Sequence, residues 1–372
     1  MRFLIITHVP HCIELNLYFA YAPYVREMNV WGKYVDEFII VAPVKDFSNA
    51  KIECQYEQPN ITFLPISTFD LLSVQNGFKA FLKTPTIIWQ IFKAMKRSDH
   101  IHLRCPGNIG LIGCFVQILF PQKTKTAKYA GNWDPKSKQA RSYRLQKWIL
   151  SNTFLTRNMQ VLVYGKWEGS SKNIKPFFTA TYDEADAIPL VTKEVNCSID
   201  FVFVGTLVKG KNPLYAIQLV ERLIQKGYPV QLSLYGEGSE RIILENYISD
   251  KKLEKQIILE GNQSKETLKE AYKQSRFVLL PSDSEGWPKA IAEGMFWGCV
   301  PLATSVSCVP FMLDFGNRGA LLDMNLEKDV MHIEAILNNQ PLFDMMQKKG
   351  CDWSRKYTLD IFEEEIKKLL QP

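Results

Sequence analysis

Glu285 and Glu293 stand eight positions apart in the stretch Ser-Asp-Ser-Glu-Gly-Trp-Pro-Lys-Ala-Ile-Ala-Glu-Gly, residues 282–294. The apolar run at 277–280, closed by Pro281, reads as a buried strand, so 282–287 form the loop at its carboxyl end. Pro288 suits the first position of a helix and Gly298 the position just past its end, which predicts a helix of about ten residues. Glu285 then lies on the loop and Glu293 more than a turn into the helix. A helix start offers backbone N–H groups to an anion, and two carboxylates set apart along it accept hydrogen bonds from hydroxyls. A diphosphate flanked by two polyols fits such a site. Taken alone, the stretch reads equally well as a strand-to-helix turn with two solvent-facing glutamates.

Two further loops in the same half of the chain shift the balance. Residues 201–204 read as a strand, followed by Gly205-Thr206-Leu207-Val208-Lys209-Gly210-Lys211-Asn212-Pro213, a glycine-bearing loop with two lysines and a helix start. Lysine beside a helix N-terminus neutralises phosphate. Leu234-Tyr235-Gly236-Glu237-Gly238-Ser239 repeats the passage from strand to glycine loop, and Gly236 and Gly238 would let backbone approach a ligand closely. In the first half, His102 and Arg104 share one strand face by alternation. They suit an acceptor or a diphosphate, or else are a core histidine and an ion-pair partner. Trp133, Tyr143 and Trp148 could stack on sugars, or simply pack. Asp183-Glu184-Ala185-Asp186 spells a helicase word, but no Gly-x(4)-Gly-Lys-Ser/Thr phosphate loop accompanies it, so it is read as coincidence.

The elements that must hold these loops alternate regularly. Short apolar, β-branched runs at 3–6, 37–42, 61–65, 100–103, 125–130 and 160–164 are mostly separated by spans long enough for a crossover helix. A second series follows at 201–204, 231–235, 256–259, 277–280 and 300–303. The pattern predicts an α/β chain with two mostly parallel sheets, each covered by helices on both faces. A polar stretch from about 182 to 198 joins them. The expected division is 1–190, 191–350, and a closing helix within 351–372 that returns toward the first domain, with a cleft between the two domains. In such sheets, ligands bind beyond the carboxyl ends of the strands, where all three loops fall.

At 372 residues the chain is long enough for two domains. The apolar start at 3–6 is too short for a secretory leader, and no run reaches the length of a membrane span, so a cytoplasmic protein is expected. Eight cysteines, at 12, 54, 105, 114, 197, 299, 308 and 351, include no Cys-x-x-Cys pair and are expected to be reduced and mostly buried. Residues 1–195 carry 24 Lys and Arg against 15 Asp and Glu, and the remainder 21 against 24. The clusters at 93–97 and 123–128 suit anionic lipid headgroups, nucleic acid or a phosphorylated acceptor, or a solvated helix face.

The succession Gly-x-Leu-x(3)-Lys-Asn-Pro, Leu-Tyr-Gly-Glu-Gly, Pro-Ser-x-Ser-Glu-Gly-x-Pro-x-Ala-x-x-Glu-Gly and Gly-Cys-Val-Pro, spread through about 200–325, resembles the second domain of family 4 glycosyltransferases, whose mark is the Glu-x(7)-Glu spacing. The resemblance implies a GT-B fold of two Rossmann-like domains and retaining transfer of a hexosyl group from a nucleotide sugar without metal or other cofactor. The implied acceptor is a glycan or a polyprenyl-phosphate-linked one in surface-polysaccharide synthesis, with no nucleic acid as partner and the chain peripheral at the inner face of the cytoplasmic membrane, on its anionic surface. It assigns Lys211 to the donor diphosphate, Glu285 to the transferred sugar and Glu293 to the ribose hydroxyls. Trp287, Pro288 and Lys289, after Gly286, would present backbone amides to the phosphates. Thr206 stands where the family usually has arginine, leaving Lys209 as the second positive charge. The glycine pair after the first strand is replaced by His8-Val9-Pro10-His11-Cys12, and a usual histidine by Gly131-Asn132-Trp133-Asp134, so Asn132 or Asp134 would take its role. A nucleotide-sugar epimerase and a catalytically silent nucleotide-sugar-binding subunit are the alternatives.

Overall fold

The computed structural model describes residues 1–47, 52–67, 74–195 and 198–371. Two parallel sheets dominate. The first runs, across its width, Ile174–Phe177, Met159–Tyr164, Thr124–Tyr129, His100–Cys105, Arg2–Ile6, Glu37–Pro43 and Ile61–Ile66. The second runs Ile257–Gly261, Val230–Tyr235, Ile199–Val204, Phe277–Leu280, Val300–Thr304 and Ala320–Leu322. In both, the strand that comes first in sequence sits inside the sheet and the order turns back around it, which is the doubly wound arrangement of nucleotide-binding folds. The fully apolar strands explain this: Phe3 to Ile6 and Phe277 to Leu280 are buried throughout, as parallel strands covered on both faces must be.

The chain divides into two compact units, Met1–Phe178 with Glu363–Pro372, and Thr179–Phe362. Each has its own core: Leu4, Ile101, Leu103 and Val161 lie in one, Phe201, Leu232, Leu279 and Ile333 in the other. A small antiparallel sheet, Cys12–Glu14, Leu17–Tyr21 and Glu53–Gln55, was not expected from the sequence. Its hairpin turns at Leu15 and Asn16, both left-handed (φ 50° and 63°). That geometry usually draws Asn-Gly, so leucine hid the turn. The expected closing helix is two helices, Gln340–Ser354 and Leu359–Leu370. Thr358 ends the run between them, its Oγ1 accepting the Ile361 N–H (3.4 Å) as an N-cap. Among the described residues no helix is long and apolar enough to cross a membrane. Seven cysteines are free and all but Cys54 are buried; Cys197 lies outside the described residues.

Candidate active site

In the second sheet the order reverses between Ile199–Val204 and Phe277–Leu280, which pair in parallel register. Numbering the candidate loops in chain order, the loops leaving their carboxyl ends are the first (205–213) and the third (282–287), the second being 236–239. After Val204 the chain passes through Gly205 and Thr206 into a tight turn at Lys209–Lys211. Asn212, left-handed at φ 49°, then redirects it into the helix Pro213–Gln225. From the other strand, Asp283 donates its N–H to Gly210 O (2.9 Å). Asn212 Nδ2 donates to Pro281 O (2.9 Å) and to Asp283 Oδ1 (2.6 Å). These bonds bring Lys211 Nζ to 2.5 Å from Glu285 Oε1. Glu285 is buried and Lys211 half-buried, so removing the lysine leaves a buried carboxylate poorly compensated. Gly286 O is held by Ser307 Oγ (3.2 Å) and Cys308 Sγ (3.3 Å), two anchors that no local pattern in the sequence announces. Lys209 and Thr206 are exposed on the first loop.

Gly236 and Gly238 allow a further close approach that the sequence did not suggest. A Cβ on Gly236 would lie 2.0 Å from Gly205 O, and one on Gly238 2.2 Å from Leu207 O. The close contact is of backbone with backbone, and it lets Leu207 N–H reach Glu237 O (3.0 Å) and Gly205 N–H reach Tyr235 O (2.9 Å). The first and second loops are thereby extended as one rigid ledge.

The helix carrying Glu293 runs Lys289–Phe296, with Pro288 as its N-cap and Gly298 left-handed beyond its end (φ 79°). Pro288 has no N–H and cannot present an amide to a phosphate, which corrects that part of the expectation. Glu293 Oε1 accepts from Thr181 Oγ1 (2.6 Å) and Oε2 from Tyr272 OH (3.3 Å). Each carboxylate oxygen thus already holds a hydroxyl, from residues far away in sequence. Glu293 lines a small recess with Trp287, Lys289, Thr181 and Tyr357, and Trp287 is packed against Trp353 and Tyr357. The stretch 183–186 is a turn with a capping box between Asp183 and Asp186.

The candidates in the first unit stand otherwise. His102 is fully buried, its Nδ1 paired with Thr126 Oγ1 (2.8 Å) and its ring against Phe3 and Trp31. It is a core residue, contrary to the catalytic expectation, because a strand inside a parallel sheet turns both of its faces inward. Arg104 faces Glu27 (3.6 Å), which also pairs with buried Lys128 (2.8 Å). Asn132 Oδ1 accepts the Asp134 N–H (2.9 Å), and Asp134 Oδ1 the Lys136 N–H (2.8 Å), so these two side chains shape the turn they stand in.

Burial pushes the His11 and His100 imidazoles down to about 4 and His102 well below its ordinary value. In the unfolded chain each binds a proton near pH ~6.5; folded, each stays neutral. Their stabilising contribution is therefore complete above pH ~6.5 and is lost as pH falls toward the folded values, at about 1.4 kcal/mol per pH unit for each histidine. Urea unfolding at pH 7.5 and pH 5 should show this loss, and His102→Gln should lessen it by about a third, leaving the share of His11 and His100.

Comparison with known proteins places these features. Residues 191–353 match the family of group 1 glycosyl transferases. Over 362 residues, 92% of this chain and 88% of the relative, the sequence is 21% identical to the protein CapJ of Staphylococcus aureus. Among solved structures, Anabaena HepE in complex with UDP and glucose is similar at a TM-score of 0.71 and 13% identity, over 100% of this chain and 99% of that one. For S. aureus TarM, in complex with fondaparinux, alpha-GlcNAc-glycerol and UDP, the TM-score is 0.58 at 18% identity over 77% of this chain, which spans only 59% of the TarM chain. At such identities the structural likeness speaks for the fold. Fold and matched segment together give the chain a GT-B fold whose second unit carries, over residues 191–353, a group 1 glycosyl transferase domain.

Proposed function

We propose that the second unit binds a nucleoside-diphosphate sugar and that the chain passes the hexosyl group, with retention at the anomeric carbon, to a glycan or polyprenyl-phosphate-linked acceptor in surface-polysaccharide assembly at the membrane. The observation that carries this reading is the Lys211–Glu285 pair at the reversal of strand order. As the glycosidic bond breaks, negative charge grows on the departing diphosphate, and a preorganised cation at that point stabilises it. Lys211 would supply that charge in place of a divalent ion. Glu285, released from sole pairing with Lys211, would accept hydrogen bonds from the sugar hydroxyls. Glu293 already binds two hydroxyls, the chemistry that a ribose diol presents.

UDP is the nucleotide in the HepE and TarM structures, so UDP-hexoses are the first donors to try. With radiolabelled donors and lipid-linked acceptors, we expect free UDP and an extended acceptor whose new linkage keeps the donor's anomeric configuration by NMR. EDTA should leave the rate unchanged. An isomerised UDP-sugar would mark an epimerase, binding without turnover a silent subunit, and an inverted linkage would overturn retention.

A further inference from the structure

The carboxyl ends of the first unit's strands are where a doubly wound sheet takes ligands, yet a cavity opens at their opposite, amino ends. It has a volume of about 590 Å³, within the range of small-ligand sites. It lies where the strands Thr124–Tyr129, Met159–Tyr164 and Ile174–Phe177 begin and the helix Leu359–Leu370 ends, about 20 Å from the carboxyl ends of those six-residue strands. Hydrogen bonds brace its walls. Asn158 Nδ2 donates to Pro121 O (3.0 Å), and Asn158 O accepts the Lys125 N–H (2.8 Å). Asn173 Nδ2 donates to Leu150 O (2.8 Å) and Thr156 Oγ1 (3.2 Å). The cavity is therefore preformed, which lowers the cost of filling it.

Lys125, Arg157 and Lys172 line this cavity, and among the described residues no Asp or Glu does. Lys125 carries most weight. It is 1% exposed, and its Nζ donates to a single acceptor, Phe120 O (2.8 Å), of the three an ammonium can serve. Lys128, three residues along the same strand, has the Glu27 carboxylate at 2.8 Å. Nothing acidic offsets the burial of Lys125, which pushes its ammonium down to about 8. A buried cation without a counter-charge is costly, and an anion in the cavity supplies one. Arg157 and Lys172 are exposed, and neither has an acidic partner among the described residues. Arg157 lies over Phe154 (4.6 Å), which orients it. The same lining includes the side-chain amides of Gln122, Gln160 and Gln371. An amide offers donors and an acceptor together, the match for neighbouring sugar hydroxyls, while the cations match an acid group. Among the described residues no aromatic ring lines the cavity for a nucleotide base to stack on.

We propose that this cavity holds a segment of an acidic oligosaccharide, a second glycan site at the far end of the first sheet that keeps a growing chain attached while its end is extended. The inference rests on the reading of a glycan acceptor given above. The test is calorimetric titration of the full chain with trigalacturonate and with a heparin-derived tetrasaccharide, against neutral maltotriose and inorganic phosphate. We expect at least one acidic oligosaccharide to bind, maltotriose not to bind, and phosphate to bind at least about tenfold more weakly. Arg157→Gln and Lys172→Gln, both at exposed side chains, should each weaken the oligosaccharide roughly tenfold, the share of one charge-assisted hydrogen bond, and Lys125→Met by as much or more. UDP affinity and turnover of a short acceptor should be unchanged in the two exposed-site variants. Absence of binding by both acidic oligosaccharides, equal binding of maltotriose, or affinity untouched by Arg157→Gln and Lys172→Gln overturns the proposal. So does phosphate binding as tightly as the oligosaccharides, since the site would then hold an anion alone. Failure of sugar transfer with oligosaccharide binding intact would instead count against the proposed activity alone.

Discussion

Replacing Lys211 by alanine should lower kcat with a nucleotide-sugar donor by about 100- to 1000-fold, the usual consequence of deleting one preorganised group from a site where charge develops. The same substitution has a second effect, because Glu285 is buried and Lys211 Nζ is its partner at 2.5 Å. Stranding that carboxylate should cost roughly 3 kcal/mol of stability. The two effects separate in a pair of variants. Lys211→Ala combined with Glu285→Gln removes the uncompensated charge and should regain most of the lost stability, while activity stays low. Were Lys211 only a structural partner for Glu285, the double variant would turn over as fast as Glu285→Gln alone, whereas a charge of its own on the diphosphate makes the double variant slower than that single one. A kcat for Lys211→Ala within about threefold of the parent would refute the assignment of the lysine to the leaving diphosphate.

The second half of the chain was legible because its chemistry is local. A strand, a glycine loop and a helix start each occupy a few consecutive residues, and Lys211, Glu285 and Glu293 announce themselves by their offsets within them. Periodicity also conveyed both sheets except for the short edge strands Ile174–Phe177 and Ala320–Leu322, since strands covered on two faces leave continuous apolar runs. What the sequence did not convey was which distant residue meets which. Thr181 and Tyr272 on Glu293, and Ser307 and Cys308 on Gly286 O, come from segments with no distinctive spacing.

The first half misled for a related reason. Alternation correctly put His102 and Arg104 on one side of their strand, but alternation separates core from solvent only where one face of a sheet is open. Here Phe3 and Trp31 cover His102, and Tyr24 and Glu27 meet Arg104. The small antiparallel sheet was lost because Leu15 stands at a left-handed turn position where sequence patterns lead one to seek Asn or Gly.

Gly236→Ala should destabilise the second unit by roughly 3 kcal/mol or more and abolish donor binding with it. Gly236 has a φ of 143°, a conformation that L side chains rarely adopt, and the added Cβ would sit 2.0 Å from Gly205 O and 2.9 Å from Gly205 C. A flexible side chain could swing aside from such a contact, but these are backbone atoms fixed by hydrogen bonds: Gly205 N–H to Tyr235 O (2.9 Å) and Gly236 N–H to Gly261 O (2.8 Å). Relief requires the loop after Val204 to move away, and that loop leads directly into Lys211. Gly210→Ala is the control, because a Cβ there meets nothing within 4 Å; its stability should lie within about 0.5 kcal/mol of the parent. Urea midpoints of the two variants, with calorimetric titration of UDP, make the comparison. Equal stability of the two would mean that the glycine does not hold the ledge together, and retained UDP affinity in a destabilised Gly236→Ala would uncouple the ledge from the diphosphate site.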